Sequence, residues 1–388
     1  MEFSLNPEQQ QLKDSLRRYL DRNYTFVARR QQLQADDKFS ASHWRSFAEF
    51  GLLGIGIPEV AGGMGTATNL GGAGCAAEDA MIVMECFGRA LVVEPYLSTV
   101  VLCGSVLREH VANPLCERLL SAIVDGSKTM ALATHERAGR YQFSHVATTA
   151  RREGENYVLN GSKSVTLYGD AADNLIISAR TSGAVSDEAG ISLFIIDKDI
   201  AGLDVRGYST NDGLRAADIT MKDVRVSADA LIGKEHAAFA TIERAIGFGL
   251  AALCAEAVGA MEALGEQTLE YLKTRKQFGV AIGTFQVLQH RMVDMFIATE
   301  QARSITILAT LKANAPDANE RRRVLAAAKS LVGQSARLVG QLAVQLHGGM
   351  GVTDELSISH YFKRLTAIDM TFGDAHYHQG QLGDLLAA

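Results

Sequence analysis

The hydrophobic period of this chain changes twice, and that double change limits its architecture more than any other feature. From residue 1 to about 125 apolar residues recur at helical spacing, with Leu12, Leu16 and Leu20 on one face. Asn6-Pro-Glu-Gln9 ahead of them reads as an N-cap with proline at the first helical position, where its missing N–H costs nothing. Gly51–Gly65 is a glycine-rich break before helical spacing resumes near Ala76. From 126 to 232 the period drops to two. Tyr157-Val-Leu-Asn-Gly-Ser-Lys163 reads as strand, turn, strand, and Leu175–Ala179, Ile191–Ile196 and Asp223–Ser227 read as further short strands. The helical period then returns in long runs at 237–271, 286–311 and 319–347, whose short connections favour an antiparallel bundle. The fold class expected is α+β and multi-domain. An N-terminal α-helical domain (1–125) precedes a middle β domain of sandwich or barrel-like form (126–232) and a C-terminal four-helix bundle (233–388).

Composition narrows the function. A chain of 388 residues exceeds one hydrophobic core, and 47% hydrophobic with 21% charged residues is ordinary for a soluble globular protein. A net charge of -6 argues against a general nucleic-acid binder, which needs a basic surface to displace counterions. The N-terminus has no basic segment followed by an apolar one, so no signal peptide is expected. The most apolar long stretch, Ile246–Met261, is interrupted by Glu256 and reads as too short to span a bilayer. Cys75, Cys86, Cys103, Cys116 and Cys254 form no Cys-x-x-Cys pair, so buried, reduced thiols in a cytoplasmic protein are expected. No metal site is expected: His347, His376 and His378 have no partners at ligand spacing.

Three segments carry a resemblance. Gly51-Leu-Leu-Gly-Ile-Gly-Ile-Pro-Glu59 is followed by Gly62-Gly-Met-Gly65. Arg275-Lys-Gln-Phe-Gly279 continues into Ile282-Gly-Thr-Phe-Gln-Val-Leu-Gln-His-Arg-Met-Val-Asp-Met295, and Gln345-Leu-His-Gly-Gly-Met-Gly351 is followed by Thr353-Asp-Glu355. Together with the helix, sheet, helix order they resemble the acyl-CoA dehydrogenase family over nearly the whole length. The resemblance implies FAD as cofactor, an acyl-CoA substrate and an electron-transfer flavoprotein as acceptor. It implies that Arg275 contacts the FAD diphosphate, that Phe278 packs by the nucleotide and that Gln286 binds further along it, with Gln277 in the same segment. It also implies that Gln345, Gly348 and Gly349 receive the adenosine end of an FAD whose ring lies in a neighbouring subunit. The chemistry is apt, because a guanidinium matches phosphate oxygens with fixed paired donors and glycine lets backbone amides approach a ligand.

The chain also departs from the family pattern. In the family a carboxylate takes the α-proton of the thioester while the flavin accepts the β-hydrogen. Aligning outward from Lys363-Arg364 puts Gly373 at the usual glutamate position, inside Thr371-Phe-Gly-Asp-Ala375. The alternative position, counted back from Arg275, holds Gly249, with Leu250 where an arginine usually follows. Asp374 is then the candidate base, and an aspartate bonded to its own turn is the alternative reading. In the flavin-facing β domain, Thr134-His-Glu-Arg-Ala-Gly-Arg140 replaces Thr-Glu-Pro-x-x-Gly-Ser, and Val165 and Leu167 stand where the family has Trp-x-Thr. The losses fall on groups that hold the flavin ring and move the proton, while the nucleotide-gripping segments survive. Two readings follow: a working enzyme with Asp374 as base, or a non-catalytic partner that completes the FAD site of a catalytic homologue. Under either reading the chain is expected in a homo-dimer or tetramer, or in a hetero-oligomer with a homologous catalytic subunit. The segment from Leu346 to Leu365, with Phe372-Gly-Asp374, is most similar to small subunits of the pimeloyl-CoA dehydrogenase type.

Overall fold

The computed structural model describes residues 5–35, 37–64 and 76–387; Gly65 and Cys75, singled out above, lie outside the described residues. The first helical stretch holds α1 (Pro7–Asn23), α2 (Phe26–Gln34), α3 (Ala41–Glu49) and α4 (Ala76–Ala90). After a π-helical turn at Leu97–Cys103 come α5 (Gly104–Arg108) and α6 (Pro114–Val124). Strands follow: β1 (Met130–Ala133), β2 (Thr149–Glu153), β3 (Asn156–Leu167), β4 (Asn174–Arg180), β5 (Ile191–Asp197), β6 (Leu203–Ser209), β7 (Arg215–Ser227) and β8 (Leu231–Ile232). The last stretch holds α7 (Phe239–Thr274), the short strands β9 (Lys276–Gln277) and β10 (Val280–Ala281), then α8 (Gln286–Lys312), α9 (Ala318–His347), α10 (Ser357–Met370) and α11 (Ala375–Ala387). The order helical, β, helical is the one the changing period implied. At the start of α1, Asn6 accepts from the Gln9 backbone while the Gln9 side chain returns to Asn6, a complete capping box with proline behind the cap.

Two compact units share the chain. The first gathers α1, α2, α4, α8 to α11 and α7 from Leu250 onward. Its centre is a close crossing of α4 and α7. A Cβ placed on Gly88 would lie 1.9 Å from the Glu256 carbonyl oxygen, and one on Gly259 would lie 1.8 Å from that of Glu85. Only glycine permits two backbones to approach so nearly. Two buried carboxylates flank the crossing and tie other helices to it. Glu256 accepts from Arg364 Nε at 2.6 Å and Nη2 at 2.7 Å, which fastens α10. Glu85 accepts from Lys13 of α1 and Arg303 of α8, each at 3.0 Å. Burial works to raise the Glu85 pKa, but these two cations outweigh it and hold the carboxyl below its ordinary range.

The second unit holds α3, α5, α6, the sheet and α7 as far as Gly249. Its eight strands run in the order β6-β7-β3-β2-β4-β5-β8, with β1 paired to β4 in parallel. The inward residues, among them Tyr157, Leu159, Ile177, Phe194 and Ile219, form one apolar core. One sequence expectation is corrected here. Asn160-Gly161 is not a hairpin turn, because β3 runs straight through it and β7 pairs on both sides, Leu159 with Val224 and Gly161 with Met221. The glycine is needed for clearance, since a Cβ at Gly161 would lie 2.6 Å from Thr148 Cα.

A second correction concerns α7. Its 36 residues are long and apolar enough to cross a membrane by length and composition, yet 89% of the most apolar window is buried within the protein. Cys86, Cys103, Cys116 and Cys254 are buried free thiols, and burial pushes the Cys86 and Cys116 thiols up to about 11.

Because the crossing tolerates no Cβ, Gly259→Ala is expected to destabilise the protein by about 3 kcal/mol or more, the upper range of overpacking. Arg364→Met strands the Glu256 charge and is expected to cost about 3–5 kcal/mol. Urea unfolding followed by circular dichroism measures both; a loss below about 1 kcal/mol in either would contradict this account.

Candidate functional site

At its C-terminus α7 gives way to a tight hairpin. Gln277 pairs with Val280 across a two-residue turn, Phe278-Gly279, in which both residues have positive φ (54° and 81°). This is the turn type whose twist matches paired strands, and Gly279 adopts it freely. Phe278 is strained there, and its ring projects from the tip 91% exposed, with an edge-to-face contact to Phe285 at 6.2 Å. Arg275, Gln277 and Gln286 are exposed along the same segment. Arg275 has no ion pair among the described residues, so its guanidinium is uncommitted.

The second segment leaves α9 at the matching end of the same unit. Gln345 is exposed on the last turn, and Gly348 (φ 61°) ends the helix. A Cβ on Gly348 or Gly349 would meet no atom within 4 Å, so both peptides face open space, whereas one on Gly351 would press on the Val344 carbonyl at 2.7 Å. The two exits are tied together by a contact the sequence did not suggest. His347 stacks on Tyr271 with centroids 4.3 Å apart, and its Nδ1 lies 2.8 Å from the Ala343 carbonyl oxygen. Burial lowers its pKa, consistent with a neutral ring that donates to that carbonyl.

The turn between α10 and α11 carries Gly373 and Asp374. Asp374 Oδ1 accepts from the Tyr377 backbone at 2.8 Å and so caps α11. Lys329, fully buried on α9, donates to the carbonyl oxygens of Asp369 (2.7 Å) and Gly373 (2.6 Å), clamping the turn. His378 Nε2 lies 3.1 Å from the Phe372 carbonyl oxygen. A Cβ on Gly373 would lie 2.5 Å from the Tyr377 ring and 2.7 Å from His378 Nε2. His376 is exposed while His378 is buried, so the pair does not converge. The one signal for the clamp was a lone lysine in the apolar run Ala326-Ala-Ala-Lys-Ser-Leu-Val332.

In the second unit, Glu136 stands where the family has proline. It accepts from Lys163 Nζ (2.7 Å), the Thr148 hydroxyl (2.7 Å) and the backbone N–H groups of Ala147 and Thr148. Burial opposes ionisation, but Lys163 and these donors hold the carboxyl below its ordinary range. The charge of Glu136 is therefore neutralised internally. Val165, on the bulge of β3, has φ 51° and is half exposed, a costly conformation for a β-branched residue.

Family models for the acyl-CoA dehydrogenase N-terminal, middle and C-terminal domains match residues 6–127, 131–224 and 239–385. The chain belongs to the acyl-CoA dehydrogenase family. It is 30% identical to the acyl-CoA dehydrogenase FadE12 of Mycobacterium tuberculosis over 331 residues, 81% of this chain and 80% of that one. Among solved structures, the Tcur3481–Tcur3483 steroid ACAD matches with a TM-score of 0.85 at 28% identity, covering 98% of each chain. The FAD complex of PigA matches with a TM-score of 0.88 at 25% identity, covering 100% of this chain and 99% of that one.

FAD is the cofactor to which family and relatives point, and the first unit fits its nucleotide end. An uncommitted guanidinium, an exposed aromatic face and two unobstructed glycine peptides are the donor set that a diphosphate and an adenosine require. The acyl-CoA dehydrogenase carboxylate is another matter. With the turn as it stands, no side chain can leave the Gly373 position without displacing Tyr377 and His378, and Gly249 is buried on α7.

Burial, helped by the charge of Lys329, brings the His378 pKa down to about 4, against about 6.5 for an exposed imidazole. As pH falls from 6.5 towards 4 the unfolded chain therefore takes up this proton before the folded one does. Stability is expected to fall by about 2–3 kcal/mol across that window. His378→Gln should flatten the slope in urea midpoints measured from pH 7 to 4. Asp374→Ala should cost about 1 kcal/mol at neutral pH through loss of the cap, read by the same titration.

Proposed function

We propose that this chain is a subunit of an FAD-dependent acyl-CoA dehydrogenase, in which an acyl-CoA thioester undergoes α,β-dehydrogenation to the 2-enoyl-CoA. The observation that carries the reading is the pairing of the open hairpin with the open glycine turn at one end of the first unit. In this reading Arg275 holds the diphosphate with its planar fork, and Phe278 lies against the nucleotide. Gln277, Gln286 and Gln345 hydrogen-bond to it, and the Gly348 and Gly349 peptides receive the adenosine end. The bound flavin supplies the redox chemistry.

The helix-capping role of Asp374 and the closed Gly373 position favour a second, narrower reading. Here the chain is a non-catalytic partner, of the kind found as small subunits in pimeloyl-CoA-type enzymes, and a homologous catalytic subunit brings the base and most of the contacts to the ring. Subunit contact has an evident surface: α8 exposes Val287, Val293, Phe296 and Ile297, an apolar face that water would otherwise cover. A symmetric or pseudo-symmetric pair would bury it. The acceptor in this reading is an electron-transfer flavoprotein, and the compartment is the cytoplasm.

The purified chain is expected to carry little flavin alone and to gain a flavin absorbance band when co-expressed with a homologous subunit. Arg275→Met in that complex should lower flavin retention at least tenfold. Asp374→Asn in the same complex should leave turnover of acyl-CoA within about twofold. Full flavin occupancy and turnover by the chain alone would refute the partner reading, and loss of turnover in Asp374→Asn would restore Asp374 as the base.

A further inference from the structure

The turn that follows the glycine segment is held by a relay of side chains from α2 and α10, all within the first unit. Arg29 is buried on α2; its Nε donates to the Leu91 carbonyl oxygen at 2.7 Å, and its Nη1 lies 3.1 Å from His360 Nδ1. The other ring nitrogen, His360 Nε2, lies 3.2 Å from the Asp354 carbonyl oxygen. These neighbours fix the tautomer. A guanidinium can only donate, so Nδ1 accepts, and the ring's single proton sits on Nε2 and is donated to Asp354. His360 is 8% exposed, and its ring meets that of Phe26 edge to face at 5.0 Å. Beside it, Ser359 Oγ donates to the Thr353 carbonyl oxygen at 2.7 Å. The stretch from Gly348 to Asp354 therefore ends on two bonds from α10, and one of them passes through His360 to α2.

We propose that His360 is a positioning residue for this turn, holding it closed only while the imidazole is neutral with its proton on Nε2. The functional weight of the turn rests on reading Gly348 and Gly349 as the adenosine end of the cofactor site; the relay itself does not. Protonation adds an N–H on Nδ1 that points at Arg29, which turns a hydrogen bond into two facing donors of like charge. Arg29 stays charged, so the imidazolium has to move away, and its bond to Asp354 is lost with it. The surrounding charges are unequal. Arg29 opposes the imidazolium directly, and Arg30, over the Phe26 ring at 6.0 Å, adds a second cation on α2. In the turn Asp354 favours it, with Oδ1 3.6 Å from Nε2, but that carboxylate is exposed and already bonded to Lys363 at 3.0 Å. Burial first, and the Arg29 charge with it, hold the His360 pKa below the ordinary imidazole range, against the pull of the Asp354 carbonyl. Once released, the ring returns toward about 6.5. The open form therefore takes up the proton first as pH falls below that value, and the turn is closed at neutral pH and loosened by acid.

Hydrogen–deuterium exchange of the purified chain, read by mass spectrometry at pH 7.5 and 5.5 with times scaled for the intrinsic rate, tests this without any flavin. Peptides covering 345–356 are expected to exchange at least fivefold faster at pH 5.5, while those from the middle of α9 keep their protection. His360→Gln keeps a donor and cannot gain a proton, so its turn should exchange at one rate at both pH values. Arg29→Met removes the opposing charge, so its turn should stay protected at pH 5.5. The comparison of the unaltered chain at two pH values stands by itself if a variant fails to fold. The proposal is overturned if 345–356 exchanges equally at both pH values in the unaltered chain. It is also overturned if the pH step persists in His360→Gln, which would assign it to His347 at the start of the segment. Flavin retention in the complex that is indifferent to Arg275→Met would refute the cofactor reading and leave these outcomes standing.

Discussion

The first unit is organised by the contact of Gly88 with the Glu256 backbone and of Gly259 with the Glu85 backbone. Two helices that touch through backbone rather than side chains have little freedom to slide or rotate. The two glutamates beside the contact turn that rigidity into reach, since their cations stand on α1, α8 and α10. Isolated surface ion pairs contribute little, but these carboxylates are buried and doubly bonded, so removing one partner leaves an uncompensated charge. Position along α7 is thereby coupled to the placement of most of the unit.

That coupling bears on the site. The hairpin with Arg275 and Phe278 begins one residue after α7 ends, and the glycine turn begins where α9 ends. The Tyr271–His347 stack joins the two exits, so the exposed groups of both segments are carried on the ends of rigid helices rather than on long loops. The α10–α11 turn is held with comparable rigidity. Lys329 takes two of its carbonyl oxygens, Asp374 caps the next helix, and two aromatic side chains occupy the space beside Gly373. In the second unit, the charge that replaces proline at Glu136 is met by Lys163 fifteen residues before Ser178, which also binds that lysine. The departures at Gly373 and Glu136 are thus each met by groups that the fold places beside them.

Much of the architecture was legible in the sequence because its signals are local. The capping box at Asn6 and Gln9, the short isoleucine-rich runs of β4 and β5 and the long periods of α7, α8 and α9 each involve neighbours within a few residues. The reading failed at Asn160-Gly161, where the dipeptide is a good hairpin turn in isolation. Ladder bonds to β2 and β7 on both sides carry the strand through instead. The helical run at 237–271 was legible as well, whereas the partner of Glu256 was not, because Arg364 stands 108 residues away.

By itself the sequence determined the helical, β, helical order and the family, because those depend on period and on short contiguous runs. The tertiary structure alone decided what the remaining groups do. That Glu136 is neutralised by Lys163, that Glu256 is answered by Arg364 and that Lys329 clamps the α10–α11 turn all depend on partners distant in the chain. Such pairings are set by packing geometry, and a residue's type says what it can bond to without saying which group will be within 3 Å of it.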